Sequence, residues 1–449
     1  MLSLHFYFKK SKMKIVFRGS KSYTCILFYL FLFSYLNAQT TQTITLEEAI
    51  EKGIAHSKML KTSALKVNLS KIKYKELWNL QIPNFNLNAG YTRLSDNVQP
   101  FVVRFPSGES TLNPQILNQY NLRASAQQVV FSGFRAMKTL ELNQYLNTAM
   151  ELDYEKDKNE AKLNIANAYF SHKKLLISRS LIQENLKLIE SRLKDVKNLA
   201  AQGVVLQNDV LKVELVQNAT LNNQIDLENN IDISNYNLAK LLGLSEVTPI
   251  EPTTQEFLEN EKNQATEKKL RPELQAQQLR VAAAEKNIQI AKGAYYPTVT
   301  VGGNYYYNRP NQRVFPQMDE FKDTWDLGLN VSYNLSSIYT NKFQVEEAKL
   351  NLVQNNTSLE LLNENIEIET YSALNSFKAT KQKLEIFAKS VSQYAENQRV
   401  VKNRFDNNVA TITDLMEADV SYLQAKLNVQ LAKIDICLAW AKYQKALGK

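Results

Sequence analysis

Cysteine, histidine, glycine and proline are all scarce: two Cys, three His, 12 Gly and 10 Pro in 449 residues. Cys25 and His5 fall in the first 38 residues, which read as a removable leader, so Cys437 is the one thiol left. A lone thiol cannot staple the chain to itself, even in an oxidising compartment. It sits in Ile434-Asp435-Ile436-Cys437-Leu438 and reads as a small buried apolar residue. With only His56 and His172 remaining, a metal site or a His-based catalytic centre has little to draw on. No Gly-rich phosphate loop is present either. No catalytic residue, metal or cofactor is therefore expected. The few prolines fall in short windows, and residues 134–200 and 340–405 contain neither Gly nor Pro. Length alone suggests two or three domains, but these uninterrupted stretches argue for very long helices.

The leader is basic and free of acids, with Lys9, Lys10, Lys12, Lys14, Arg18 and Lys21 ahead of an apolar run from Cys25 to Leu36. Asn37-Ala38-Gln39 offers a small residue for cleavage, so 1–38 reads as a secretory signal peptide, with Met1 or Met13 as its start. The alternative, a membrane anchor, would need about 20 apolar residues. Cys25 precedes the apolar core and is badly placed for a lipoprotein site. The leader also carries much of the formal +9 charge; without it Lys+Arg falls from 54 to 48 against 45 Asp+Glu. That is a mixed solvated surface, and no nucleic-acid partner is expected.

Thr45-Leu46-Glu47-Glu48 opens a helix as a capping box, and the spacing predicts one helix to about Asn79, before Pro83. The period then changes from 3.6 to 2. Phe85, Leu87, Ala89 and Tyr91 alternate with Asn84, Asn86, Asn88 and Gly90, giving a strand over about 84–92. A loop from Leu94 to Gln119 precedes a second strand over about 120–131. A long helix follows, with Ile182, Leu186, Ile189, Leu193 and Val196 as a coiled-coil seam. Leu142, Tyr145, Leu146 and Ala149 widen its apolar stripe beyond a strict heptad, which suits side-by-side packing into a tube. After Gly203 another helix runs to Leu242-Gly243. Residues 244–269 read as a connecting segment with room for a short helix. The plan then repeats: a helix from Arg271-Pro272-Glu273-Leu274, strands over about 298–307 and 324–335, and two more helices to Leu447-Gly448.

The register supports an internal duplication of a helix–strand–strand–helix–helix unit. Val196-Lys197-Asn198 recurs as Val401-Lys402-Asn403, Asp209 as Asp414, and Leu242-Gly243 as Leu447-Gly448, all 205 positions apart. The first repeat is expected over 39–243 and the second over 270–449. Each chain then has four amphipathic strands of about 10 residues, the length that crosses a bilayer when tilted. Four strands cannot close a barrel, and an open edge is forbidden in lipid, so chains must share one. Two chains would give a filled barrel of eight strands, and three a barrel of 12 with a lumen. Trp325, Tyr305 and Tyr333 suit an interfacial belt. A soluble sheet on a coiled-coil rod is the alternative; it leaves the polarised faces of four strands in an exported protein unexplained.

With these features the chain resembles the TolC family of outer-membrane efflux proteins over about Thr43 to Gly448. The carriers are Thr45-Leu46-Glu47-Glu48-Ala49, Arg271-Pro272-Glu273-Leu274, Val130-Phe131-Ser132-Gly133, Arg404-Phe405 and Thr413-Asp414-Leu415, in that duplicated order. The resemblance implies a mainly α protein with transmembrane β-strands. It would form a homotrimer whose 12-stranded β-barrel, set in outer-membrane lipid, continues into a long α-helical coiled-coil barrel in the periplasm. It implies an exit duct of a tripartite efflux or type I secretion system. The partners would be a periplasmic adaptor (membrane fusion protein) and an inner-membrane pump of the RND or ABC type. Longer relatives carry a tail that joins a girdle around the tunnel; here only 244–269 is available for it.

The family's gate lies where the helix pairs turn, near Gly203 and Asn408 here, with Val204 and Val409 as apolar neighbours for adaptor docking. Asn408 departs from the usual Gly, but Asn also tolerates the left-handed conformation. Asp414 and Glu417 match the acidic positions that ring the tunnel entrance, and three chains would gather six carboxylates there. Asp209 and Lys212 are their first-repeat counterparts. Positions that hold the closed state in relatives read Phe405 and Ala410, so the lock must differ. Lys212 or Arg404 pairing with Asp209 or Asp414 is the expectation. Two other functions compete with the duct. An exported coiled-coil structural protein or adhesin would not need two internal strand pairs. An enzyme would need a cluster of His, Cys or Ser at catalytic spacing, which is missing. The sequence leaves the substrate open.

Overall fold

A computed structural model describes residues 42–97, 99–113, 115–245, 248–253 and 270–449. The leader and most of the connecting segment lie outside the described residues. The chain begins with strand β1 (Gln42–Ile44), helix α1 (Leu46–His56) and helix α2 (Lys58–Leu77). The capping box forms as expected: Glu48 N–H donates to Thr45 Oγ1, and Thr45 N–H to Glu48 Oε2, each at 3.2 Å. The single helix expected to about Asn79 is instead two. Ser57 leaves the helical region (φ −60°, ψ 110°), and its hydroxyl accepts from Leu60 N–H at 3.2 Å. A serine that can cap a new helix competes with continuation of the old one.

Four antiparallel strands form one sheet in the order β2 (Asn84–Arg93), β5 (Asn118–Phe131), β7 (Thr298–Arg309) and β8 (Lys322–Ser332). The expected loop from Leu94 to Gln119 contains a hairpin of its own, β3 (Phe101–Phe105) with β4 (Gly108–Asn113). Phe101, Val102, Val103 and Phe105 have high strand propensity, and Gly108 turns the chain at φ 134°. Period-2 alternation sorts the large sheet into two faces. Leu87, Trp325 and Leu327, each 74% exposed, lie on the apolar face with Phe85 and Leu329. Tyr305 and Tyr333 are exposed as well. Arg123, Asn304 and Asp326 lie on the polar face. One edge of β2 and one edge of β8 carry no strand partner.

Two helices of exceptional length carry the chain away from the sheet. Helix α3 (Arg135–Ala201) has 67 residues and α6 (Ser337–Asp406) has 70. Each spans about 100 Å. Shorter helices flank them: α4 (Gln207–Leu242), α5 (Pro272–Lys292) and α7 (Ile412–Ala446). Near the sheet, α2, α3, α5 and α6 pack side by side in that order; beyond them the order is α4, α3, α7, α6. The seam residues Ile189 and Val196 are buried, and Ile182, Leu186 and Leu193 half-buried.

The core is a chain of clusters along this ribbon. Ile44, Leu46, Ile165, Tyr169, Phe170, Leu238, Ile250 and Cys437 make one near its waist. There β1 pairs in parallel with β6 (Ile250–Pro252). Three side chains one turn apart on α3 hold that pair. Tyr169 Oη lies 2.9 and 2.6 Å from the carbonyls of Ile44 and Thr253, His172 Nε2 lies 3.1 Å from that of Ile250, and Lys173 Nζ donates to that of Pro252 at 2.6 Å. Burial pushes the Tyr169 hydroxyl up to about 12 and the His172 imidazole down, so both groups are neutral.

Sheet and ribbon meet where β5 runs into α3 and α5 runs into β7. Gly133, at φ 64°, lies against the backbone of Gly293, and a Cβ on it would strike that residue's carbonyl oxygen. Arg135 spans the junction, donating to Ser132 O at 2.9 Å and Thr298 Oγ1 at 3.2 Å. Gly133→Ala is expected to cost at least about 2 kcal/mol, from left-handed strain plus the backbone collision. A lowered thermal midpoint of the purified protein in detergent would report it; an unchanged midpoint would mean the junction is not close-packed.

Candidate functional site

The two helical turns share one geometry. After α3, Gly203 takes φ 76° and Val204 N–H donates to Leu199 O at 3.0 Å. After α6, Asn408 takes φ 60° and Val409 N–H donates to Arg404 O at 2.7 Å. Both are helix ends closed by a left-handed residue with a six-residue backbone bond, so Asn408 serves where glycine would. Val204 and Val409 follow at the tips, exposed.

The next helices start differently. Thr411 N–H and Oγ1–H both donate to Asp414 Oδ2 at 2.8 Å, and Asp414 N–H returns a bond to Thr411 Oγ1 at 3.2 Å. These donors, and the Arg404 charge more weakly, hold the Asp414 carboxyl below the ordinary carboxylate value. The cap is therefore intact above the ordinary value and is lost only as pH falls through the lowered one. At the first turn Leu206 has no side-chain oxygen, so only its N–H is served, by Asp209 Oδ2 at 3.3 Å.

Asp414 and Glu417 lie on one exposed face of α7. Opposite them Ile412, Leu415 and Met416 are buried with Ile189, Val196, Val210 and Val213, so α3, α4 and α7 share a core at the tip, and Val401 of α6 packs against it. Phe405 packs on that core. Of the expected pairings of Lys212 or Arg404 with Asp209 or Asp414, one is a hydrogen bond: Lys212 Nζ donates to Asp209 Oδ1 at 3.0 Å within α4. With one oxygen on its N-cap and the other on Lys212, Asp209 is satisfied inside its own helix.

A buried polar tie lies deeper and was missed by sequence reasoning. Asp419 is 3% exposed. Its Oδ2 accepts from Arg192 Nε on α3 at 2.9 Å, and its Oδ1 from Gln398 Nε2 on α6 at 2.6 Å. One carboxylate thus binds the two helical hairpins together. Lys426 with Glu184, at 2.6 Å, and Lys174 with Asp435 continue the α3–α7 contact toward the sheet. A signal was available: Asp419 falls on the stripe of Leu415 and Leu423, where an acid must find a partner. Asp419→Ala would leave the half-buried Arg192 unpaired, an expected loss of about 2 kcal/mol. Asp414→Ala removes only an exposed cap and should cost less. Amide hydrogen exchange over 189–216 and 401–423 compares them; equal protection in the two variants would refute the ranking.

Comparison with known proteins agrees with this architecture. The chain is 21% identical over 418 residues to toxin and drug export protein A of Aggregatibacter actinomycetemcomitans, covering 89% of this chain and 86% of that protein. It is 20% identical over 294 residues to outer membrane protein TolC of Vibrio cholerae, covering 64% and 67%. Its fold matches the crystal structure of the outer membrane protein VceC from Vibrio cholerae with a TM-score of 0.74 at 16% identity, over 90% of this chain and 96% of that one. The family description "outer membrane efflux protein" matches residues 49–244 and 266–449. The chain belongs to the outer membrane efflux protein family.

Proposed function

We propose that this chain is one protomer of a homotrimeric exit duct in the outer membrane. The observation that carries the reading is the sheet: its apolar face is exposed, and its two outer edges are unpaired. An apolar face of that size suits lipid, and lipid does not tolerate open edges. The strands alternate in direction across the sheet, so β8 of one copy would run antiparallel to β2 of the next. Three copies close a barrel of 12 strands around the polar face. The helical ribbon supports the same closure. Leu65, Leu69 and Ile72 on α2, and Leu215 and Ile225 on α4, are exposed along one margin. Leu350, Leu361 and Ile368 are exposed along α6 at the other. Joined margin to margin, three ribbons make a periplasmic tube continuous with the barrel.

The duplicated halves, 39–243 and 270–449 joined by 244–269, build this wall after export directed by residues 1–38. At its far end Asp414 and Glu417 from three chains ring the entrance and favour cations. Asp209 and Lys212 form the quieter rim of the first repeat. The tips with Gly203, Val204, Asn408 and Val409 dock a periplasmic adaptor, which couples the duct to an inner-membrane pump of the RND or ABC type. The name of the relative that exports toxins and drugs supports an exported cargo of that kind. The duct itself performs no chemistry. Purified protein in planar bilayers is expected to run as a trimer and to give discrete channels selective for cations. Asp414→Asn with Glu417→Gln is expected to weaken that selectivity several-fold. Trimers that never conduct would refute the duct.

A further inference from the structure

The far end of the sheet carries a second polar constellation, on the face that the duct reading turns toward the lumen. Asp326 is the one carboxylate on the polar faces of the four strands. Its Oδ1 accepts from Asn304 Nδ2 at 2.6 Å, and Asn304 Oδ1 accepts from Arg123 Nε and Nη2 at 3.0 and 2.7 Å. One amide is thus oriented by a cation on one side and an anion on the other. The remaining oxygen of Asp326 takes Arg313 Nη2 at 2.7 Å. Arg313 does not belong to the sheet. It comes from the connection between β7 and β8, and its guanidinium lies 4.3 Å from the ring of Tyr306, on the same polar face. Arg123 lies 5.6 Å from that ring.

The connection is built to deliver Arg313 there. Asn311 is 2% exposed. Its Nδ2 donates to Lys322 O at 2.9 Å and Thr324 Oγ1 at 3.2 Å, and its Oδ1 accepts from Arg313 N–H at 2.9 Å. Arg309 clamps the other flank through two bonds to Asp319, at 2.9 and 3.1 Å. Such a loop folds over the sheet rather than standing away from it. An ion pair combined with ring stacking suits Arg and would be lost with Lys or a neutral residue.

We propose that Arg313 latches the β7–β8 loop across the polar face and so forms an outer constriction of the duct, remote from the helical turns. This rests on the barrel reading, in which three such loops converge on one opening. Each protomer then sets Arg123 and Arg313 against Asp326 on that face, while the loop acids Asp319 and Glu320 are matched by Arg309 and Lys322, so the constriction is cationic, opposite in sign to the Asp414 and Glu417 ring. Opening the latch would exchange Arg313's contacts with Asp326 and Tyr306 for water or for an anionic cargo, with Asn311 and Arg309 still holding the base of the loop.

Full-length protein on intact cells tests the latch. Gly328 lies on the polar face of β8 beyond Asp326, and nothing stands within 4 Å of a Cβ placed there, so Gly328→Cys gives a reporter below the constriction. Cys437 is buried and gives little background. The cysteine is probed from outside with a small sulfonated maleimide and with a bulky polyethylene-glycol maleimide. Adding Arg313→Ala or Asp326→Asn is expected to raise the bulky reagent's rate about five- to tenfold, with less effect on the small one. The exchanged pair Arg313→Asp with Asp326→Arg should restore slow labelling. If the small reagent reaches the cysteine and the bulky reagent's rate does not respond to Arg313→Ala, the latch is wrong while the duct stands. If neither reagent reaches it on cells yet both do in detergent, the polar face is not the lumen, and both readings fall.

Discussion

Everything in this molecule is arranged around the backbone groups left over at the margins of a four-stranded sheet. Along the free edges of β2 and β8, N–H and C=O groups have no partner within the chain. In water such an edge invites uncontrolled pairing, and in hydrocarbon each unmet group costs several kcal/mol. A fifth strand in the same chain would move the edge without removing it. Only closure removes it, and closure by identical copies needs an even number of strands per chain, so that edges of opposite direction meet. Two hairpins per chain meet that need. The duplicated unit read from the sequence, with one strand pair, would supply them with no further invention, and in the proposed closure the accompanying helices would follow the same symmetry.

The helices solve a different problem with the same economy. A sheet of period 2 and a ribbon of period 3.6 share no natural register, so the chain crosses between them at a few special positions. Gly133 and Gly293 let two backbones touch there, and Arg135 ties them across the seam. Beyond that point α3 and α6 proceed without Gly or Pro, and the shorter helices fill in on both sides. Glycine is thus withheld from the two long helices, where a straight wall is needed, and used at the turns, at the junction and within the strands.

Much of this was legible from spacing alone. The change of period located four strands, and a capping box located the first helix. The paired signals near Gly203 and Asn408 located both turns. What escaped detection depended on contacts between distant segments or on local competition. Ser57 breaks a run that periodicity reads as continuous, because a hydroxyl can cap as well as ride on a helix. Residues 101–105 pair with 108–113 although the sequence reads as one loop from Leu94 to Gln119. Asp419 looks like its solvated neighbours Asp414 and Glu417 until Arg192 and Gln398 are seen to converge on it from two other helices. Arg313 is likewise silent in the sequence, since its partner Asp326 is fixed by strand register. Asp414 stands out in the sequence as an acid beside the second turn, and in the structure its carboxylate starts α7.

The unequal starts of α4 and α7 carry a mechanical consequence. Thr411 and Asp414 bind each other reciprocally, while Leu206 offers its partner nothing from its side chain. The first turn of α4 is therefore the softer of two otherwise matching ends. In the ring of three chains proposed above, six tips would alternate, compliant then stiff, around the opening. Such a ring is sixfold in outline and threefold in its elasticity. A force applied evenly to all six tips would bend three of them first, and the aperture would deform as a triangle before it could widen as a circle.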